Sequence, residues 1–596
     1  MARDEAENVD VRAVEMTPIE RMRHSAAHVM AEAVTEMFPD ARLGIGPPIE
    51  NGFYYDFDLP RTLTPDDLEQ VEKLMSDSIA ADKPFECRPV TKEEAEALFR
   101  DQPYKLELIE QFGDGDLTVY QHGDFVDLCR GPHVESTGKL GPFKLTNVSG
   151  AYWRGSEQNP MLQRIYGTMW PTSRELEEHL ERLRLARERD HRRLGRELQL
   201  FTFSPDIGPG IPLFLPKGEI LRHQMEEYIR QTQTRYGYQH VWTAHLVKKE
   251  LFEKSGHVEH YADVMFPPMV DEDDQYMLKP MNCPSHMVLF NSQYHSYRDL
   301  PLRYCEFATL YRYEKSGELS GLSRVRALTQ DDCHVFCTPD QIQEEFGRCI
   351  RLIREVLDTY GFSDYAVQLS LRDAADTGKF VADDAKWKAA ESALREALDS
   401  LGVDYAPVAG EAAFYGPKAD FMARDVLGRE WQLSTIQIDF IQPERLGCKY
   451  IGEDGEPHTP VVIHRAVTGT TERFLGVLIE HFGGAFPTWL APVQVVVLPI
   501  ADRHVSYAAS VAERLGKREV RTQVDDRVER LNAKIRDAQL QKVPYMLIVG
   551  DKEAESGEAA VRLRTGQDLG KKPVDEVLSL VLDDIGSKRL EPAAPA

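Results

Sequence analysis

The sequence predicts a multidomain protein of mixed α+β and α/β class, and three observations lead there. The chain has 596 residues, room for about three to five domains at roughly 100–200 residues each. Apolar residues are 42% and charged residues 28% of it, a balance that suits packed cores and excludes collagen, coiled-coil rods and wholly disordered chains. The hydrophobic period also changes along the chain: helical near the start, mixed in the middle, and a regular alternation of strand and helix at the end.

Residues 1–16 read as a polar tail. Thr17-Pro18-Ile19-Glu20 is a helix start: a Thr cap, Pro at the first helical position, and Glu three residues after the cap. ERMRHSAAHVMAEAVTEMF continues at helical spacing, and GIGPPIENGFYYDFDL then switches to strand and turn. Residues 17–172 are therefore expected to form one α+β domain. Residues 173–200 read as one long charged helix without a wide apolar face, more linker than core. Residues 201–486 form a large mixed segment, with helices expected near 218–236, 249–256 and 339–360 and strand-like runs in VVIHRAV and QLSTIQIDF. After Pro487 the order is strand VQVVVLPI, helix SYAASVAERL, strand VRTQV, helix VERLNAKIRDAQL, strands PYMLIVG and AAVRLR, and helix PVDEVLSLVLDDI. Residues 487–590 thus predict a compact α/β domain with a mostly parallel sheet. Residues 591–596 read as a tail, and no internal repeat stands out.

No run approaches the roughly 18 apolar residues of a membrane span; the best candidate, Val493 to Ala501, is a short strand-like run. MARDEAENVD lacks the apolar stretch of a secretory signal. Eight cysteines without dense, even spacing suggest reduced thiols and a cytoplasmic address. The net charge of −27 alone argues against a nucleic-acid partner. Arg182–Arg196, however, holds seven arginines against two acids. It reads either as a basic stripe for nucleic acid or as a solvated helix of alternating charge.

Two groups of metal-type ligands and a set of arginines carry the chemistry. His24 and His28 are four apart and share a helix face; Cys129 and His133 follow about a hundred residues later in the turn-rich DLCRGPH. The four make a zinc-like set, and equally a set for acid–base chemistry with bound water. No Glu stands between the histidines where a zinc protease needs one. Asp127 is placed to orient a histidine. Cys283, His334 and His464 are three separated ligands that would leave a fourth zinc position open. Cys333, Cys337 and His286 compete with them, although Cys333 and His334 are neighbours on a strand and face opposite ways. Arg312 precedes a polar Gly/Ser loop and a returning strand with Arg324 and Arg326, and Arg473 follows Gly469 and a Thr pair at a helix start. Both settings suit an anion, and both also suit surface ion pairs.

YRYEKSG…RVRALTQDDCHVF resembles the second motif of class II aminoacyl-tRNA synthetases, and GTTERF the third. With KPMNCP, GEAAFYGPKADF, QLSTIQIDF, VVIHRAVTGTTERF, HSAAHV and DLCRGPH in order, the chain resembles the bacterial-type threonyl-tRNA synthetases over roughly residues 17–590. The resemblance implies an α+β editing domain, a class II catalytic domain on an antiparallel sheet, and a C-terminal α/β anticodon-binding domain. It implies ATP-dependent attachment of L-threonine to tRNA(Thr) through a threonyl-adenylate, with hydrolysis of mischarged Ser-tRNA(Thr). Cys283, His334 and His464 match ligands of one Zn²⁺ per subunit that takes the threonine amino group and hydroxyl. Asp332 matches the carboxylate on the α-ammonium, and Tyr415, Lys418 and Gln432 match substrate-pocket positions. Arg312 matches the arginine on the α-phosphate and threonine carboxylate, Glu314 an adenine-side residue, and Arg324 and Arg473 arginines of the γ-phosphate and adenine face; ATP comes with Mg²⁺. His24, His28, Cys129 and His133 match the editing site, with Lys105 and Asp127 as helpers. In threonyl members that site works with water and no required metal, whereas in alanyl relatives the same ligand set holds zinc. Lys534, Arg536, Lys542, Glu553 and Arg562 lie where members read anticodon bases.

The pattern departs from the family in three places. Only about sixteen residues precede the first helix, so the small ubiquitin-like domain that opens most relatives is expected to be missing. HVWTAHL has Ala244 where the first motif normally carries Pro, which weakens the sequence basis for the expected homodimer. Tyr313 and Lys315 stand where Asn and Pro are common. Competing readings are a paralogue that no longer charges tRNA, a ligase for another amino acid, and a regulatory RNA-binding protein. The joint presence of Cys283, His334, His464 and Asp332 opposes the first two, and Arg312, Glu314 and Arg473 oppose the third.

Overall fold

The computed structural model describes residues 16–112, 117–156, 158–373 and 380–592, and counts and absences refer to these. The predicted tail over residues 1–16 lies outside them apart from Met16, and the predicted tail over 591–596 lies outside from 593 onward. The chain divides into two bodies, residues 1–184 and residues 185–596. The middle segment and the C-terminal α/β region belong to the same body.

The first body opens as its sequence dictates. Thr17 caps the helix Pro18–Met37 in a full capping box with Glu20, a device worth about 1 kcal/mol. Its middle turns, from Arg23 through Ala31, are buried on every side, and Ala26, Ala27, Met30 and Val34 share a core with Phe53, Tyr55 and Phe57. Strand Gly52–Asp58 pairs antiparallel with Met161–Met169, which pairs with Phe143–Tyr152. A second, three-stranded sheet runs Glu86–Val90, Leu117–His122, Phe125–Leu128 and ends just before Cys129.

The expected single charged helix over 173–200 is two helices, Ser173–Arg189 and His191–Glu197. Asp190 breaks it: its side chain caps the second helix by accepting the Arg192 amide at 2.8 Å, as short acidic residues do in preference to continuing a helix. The second helix is also not a free linker, because His191 and Leu194 are buried. Within the Arg-rich stretch, Arg184, Arg192 and Arg193 pair with Glu181, Asp190 and Glu197, and Arg189 donates to the His481 carbonyl.

The second body is built on an eight-stranded sheet. Its order is Gln239–His240, Leu302–Tyr311, Ala327–Cys337, Val461–Ala466, Glu430–Asp439, Lys418–Arg424, Tyr365–Leu371 and Tyr405–Ala409. Interior pairings are antiparallel, and the two edge strands join parallel. Helices Pro216–Arg235, Ile342–Thr359 and Thr471–Phe482 contribute Met225, Phe346, Ile353 and Phe474 to the core that also takes Cys333, Val335, Ile436 and Ile463 from the sheet. Alternation does the sorting: Cys333 enters this core, while Asp332 and His334 face away from it. Helix Ile342–Thr359 shows why it forms, burying Phe346, Ile350, Ile353 and Leu357 along one stripe.

The C-terminal sheet is half parallel, not mostly parallel. Strand Val495–Pro499 pairs parallel with Thr522–Val524 and Tyr545–Val549. Glu558–Leu563 pairs antiparallel with Tyr545–Val549, and Asp568–Pro573 extends the sheet antiparallel. The connection at residues 550–557 is too short for a parallel crossover, which needs a dozen or more residues.

Candidate functional site

Three backbone elements of the second body bring the first ligand set together. His334 and His464 are directly opposite on neighbouring strands, and Cys283 is the first residue of the helix Cys283–Asn291. One donor atom from each lies within 4.8 Å of the others, and all three residues are buried. Cys333 and Cys337 are on the other face of the sheet, in the core, and His286 is one layer out. His286 Nδ1 lies 2.8 Å from His334 Nδ1, and its Nε2 lies 3.3 Å from Glu306 Oε2. His464 Nε2 meets Asp439 Oδ2 at 2.9 Å. These outer contacts fix the ring orientations, as they do around bound metals. His334 Nε2 is buried and without a hydrogen-bond partner. Burial holds this imidazole well below its usual pKa, so it presents a lone pair. A thiol, two imidazoles and an orphaned nitrogen fit a borderline-soft divalent cation with an open position.

The pocket beside this set is polar on alternate strand positions. Tyr415 is buried, its hydroxyl donating to Gln437 Oε1 at 2.9 Å and its ring 5.0 Å from His464. Lys418 pairs with Asp420, and Gln432 Nε2 donates to Asp420 Oδ1 at 2.6 Å. Asp420 also accepts from Thr435 and Ser370. The sequence reading missed Asp420, Gln437, Asp439, Glu306 and His257, whose Nε2 is 3.6 Å from Cys283 Sγ. Asp332 is buried, and desolvation raises its carboxyl pKa.

The arginines sit in a setting prepared for negative charge. Arg312 Nε is buried and unpartnered. Burial, and then the Arg312 charge, lower the Arg473 pKa. Two guanidiniums close enough to repel each other in a desolvated site make a setting that suits an anion. Arg324 Nε donates to Glu314 Oε2 at 2.8 Å. Arg324 and Arg326 lie in the loop limb just before the return strand, which begins at Ala327, and not in the strand as expected.

In the first body His24, His28, Cys129 and His133 also converge, their donor atoms within 4.8 Å of one another. Cys129 Sγ lies 3.4 Å from His24 Nε2 and 3.3 Å from His133 Nε2. His28 Nδ1 has no hydrogen-bond partner. Desolvation lowers His24 to about 4, takes His28 and His133 well below the usual range, and pushes the Cys129 thiol up to about 12. Lys105 and Asp127 form a buried ion pair at 2.6 Å, and Tyr55 donates to Asp127 at 2.5 Å.

The five C-terminal candidates differ in availability. Arg536 is exposed, its nearest acid Asp537 at 3.8 Å. Arg562 lies on the strand Glu558–Leu563 and its Nε is unpartnered. Lys542 adopts a left-handed backbone conformation, φ +57°. Lys534 is buried, its Nζ donating to the carbonyls of Pro499 and Asp525. Glu553 is buried with Lys571 at 2.6 Å. Lys534 and Glu553 are thus held inside the domain, where they brace the loops around them.

Residues 266–482 match the tRNA synthetase class II core domain (G, H, P, S and T), residues 494–584 an anticodon binding domain, and residues 117–166 the threonyl and alanyl tRNA synthetase second additional domain. The chain is 64% identical over 544 residues to the threonine–tRNA ligase of Rubrobacter xylanophilus, covering 91% of this chain and 85% of that one. It is 49% identical over 588 residues to a threonine–tRNA ligase of Thermus thermophilus, covering 96% and 89%. Among solved structures it resembles the RNA binding domain of threonyl-tRNA synthetase from Cryptosporidium parvum, with TM-score 0.64, 37% identity, and coverage of 68% of this chain and 99% of that one.

Proposed function

This chain belongs to the threonine–tRNA ligase family, and from that premise we propose a division of labour between two sites. The catalytic body activates L-threonine with ATP and passes the threonyl group from a threonyl-adenylate to tRNA(Thr). The first body hydrolyses mischarged Ser-tRNA(Thr). One observation supports the synthetic assignment best: a Cys283/His334/His464 donor set with an orphaned imidazole nitrogen, its two histidines on the sheet whose strand Leu302–Tyr311 leads into Arg312.

Zn²⁺ held by Cys283, His334 and His464 would supply an open Lewis-acid position for an amino group and a hydroxyl. Asp332 accepts an N–H of that same amino group, a contact that favours the charge burial disfavours on its carboxyl. Tyr415, Lys418 and Gln432 close the pocket, the last two held through Asp420. Arg312 takes the α-phosphate of ATP, which arrives with Mg²⁺, and the threonine carboxylate; Arg473 takes the adenine face, and the bound nucleotide offsets the repulsion between the two guanidiniums. Attack of the threonine carboxylate on the α-phosphorus then expels pyrophosphate. Glu314 borders the adenine side, and Arg324 moves from Glu314 to the γ-phosphate.

A pocket that demands a hydroxyl rejects valine, but serine meets the demand, and one methyl is worth only about 1–3 kcal/mol. Hydrolysis at a second site supplies the difference. At neutral pH His24, His28 and His133 are uncharged and Cys129 is a thiol, which favours activating water over a thiolate attack. Lys105 and Asp127 hold fixed charge beside the water. Arg536, Arg562 and Lys542 are the C-terminal residues best placed for anticodon bases, and Lys534 and Glu553 would act by bracing them. We further read the chain as a cytoplasmic homodimer. Trp242 and Leu246, exposed near the expected first motif, support a covered surface there. No described helix is long and apolar enough to cross a membrane.

The test is amino-acid-dependent ATP–pyrophosphate exchange across the twenty amino acids. We expect threonine to give the dominant signal and serine a weaker one. Exchange led by another amino acid would falsify the substrate assignment.

A further inference from the structure

His191 is the first residue of the helix His191–Glu197 and is buried. Its backbone N–H donates to Glu480 Oε1 at 3.0 Å, and its ring Nδ1 reaches the same oxygen at 2.6 Å. On the other side of the ring, Nε2 lies 3.0 Å from the backbone nitrogen of Leu322. A backbone amide only donates, so Nε2 is the acceptor and the ring proton sits on Nδ1, facing the carboxylate. Both ring nitrogens are committed. Asp190, His191 and Glu480 offer donor atoms close enough for an ion, but no ring lone pair remains for one, and the second Glu480 oxygen faces Arg429 at 2.5 Å.

The ring joins elements far apart in sequence. Glu480 is in the last turn of the helix Thr471–Phe482, whose first turn carries Arg473. Leu322 is fully buried in the Gly/Ser loop, two residues before Arg324. The fit at the turn is close. Gly321 has φ +48°, and a Cβ there would stand 2.2 Å from His191 Nε2. Arg324 itself is held by Glu314 and Glu318. It must exchange those partners to reach a phosphate.

We propose that His191 is a positioning residue for adenylate formation. By accepting the Leu322 amide while donating to Glu480, it sets the limb that carries Arg324 against the helix that carries Arg473. The inference rests on the reading of those two arginines as ATP ligands. Losing the anchor therefore weakens ATP more than threonine.

Two variants separate the two hydrogen bonds. In His191→Asn the amide nitrogen replaces Nδ1, which keeps a donor for Glu480 and removes the acceptor for Leu322. In His191→Gln the amide oxygen replaces Nε2 and keeps that acceptor, while the backbone N–H of residue 191 keeps a donor on Glu480. Threonine-dependent ATP–pyrophosphate exchange by the parent, measured first, tests the underlying activity; the variants measured against it test His191. We expect His191→Asn to raise KM for ATP about 10-fold, the worth of one buried hydrogen bond. Its KM for threonine and its thermal midpoint should stay near the parent's, and His191→Gln should stay within about 3-fold of the parent for ATP. Equal rises in KM for both substrates would overturn the proposal. So would a His191→Gln protein that loses ATP affinity about 10-fold, a result that stands even if His191→Asn fails to fold.

Discussion

His334 carries the largest share of the synthetic assignment at the scale of a single residue. One ring nitrogen is tied to His286 and the other is buried without a partner, a costly arrangement unless something completes it. Removing a direct ligand should cost more than the roughly 10–100-fold typical of losing an outer partner such as Asp439. We therefore expect Cys283→Ser and His464→Ala to lose tightly held zinc and threonine-dependent pyrophosphate exchange together. Metal analysis of the folded variants checks this, and full zinc in both would count against the site. The residue types of this triple were legible in the sequence; their convergence was not, because Cys283 reaches the cluster from a helix start and only the strand register puts His334 opposite His464. Alternation did separate Cys333 from His334 in advance, leaving open which of the two faced the site. It also carried an unused signal: Thr435, Gln437 and Asp439 are polar at every second position beside Ile436 and Ile438, the mark of a strand with one chemical face.

At the scale of elements, the helix Pro18–Met37 shows how far local pattern goes. Its cap and its first-turn Pro follow from the sequence, and so does the pairing of His24 with His28 on one face. The contribution of Asp127 was readable only as proximity to Cys129; its partners Lys105 and Tyr55 come from a separate helix and a separate sheet. Because the two histidines lie on a helix secured by its cap and core, their removal should leave the fold intact. A His24→Ala, His28→Ala double variant is expected to charge threonine normally and to clear preformed Ser-tRNA(Thr) about 100-fold or more slowly, the usual worth of an acid–base group. Deacylation at the parent rate would remove editing from this helix. The long charged segment is the counterexample: composition suggested one continuous helix, and the capping preference of Asp190 divided it.

At the scale of the whole molecule, the two ligand clusters fall in separate bodies, and the anticodon candidates lie in a third region built on its own sheet. Arg562→Ala should therefore weaken tRNA charging by roughly 10–100-fold, in line with about 1–3 kcal/mol for a specific arginine contact. Threonyl-adenylate formation without tRNA should be spared, and the comparison of charging with pyrophosphate exchange decides it. The order and type of these regions were legible from hydrophobic period. The mixed direction of the last sheet was not, since connection length and not composition decides whether a strand returns antiparallel. The alternation of Cys333 and His334 also sets the terms on which the gene can change. One codon added ahead of these two residues, with pairing otherwise kept, would turn a core thiol toward the substrate and drive an imidazole into the apolar interior. Two codons would restore the faces. The strand that carries the zinc-type ligand can thus drift in length only by even steps, and reading frame alone does not protect it.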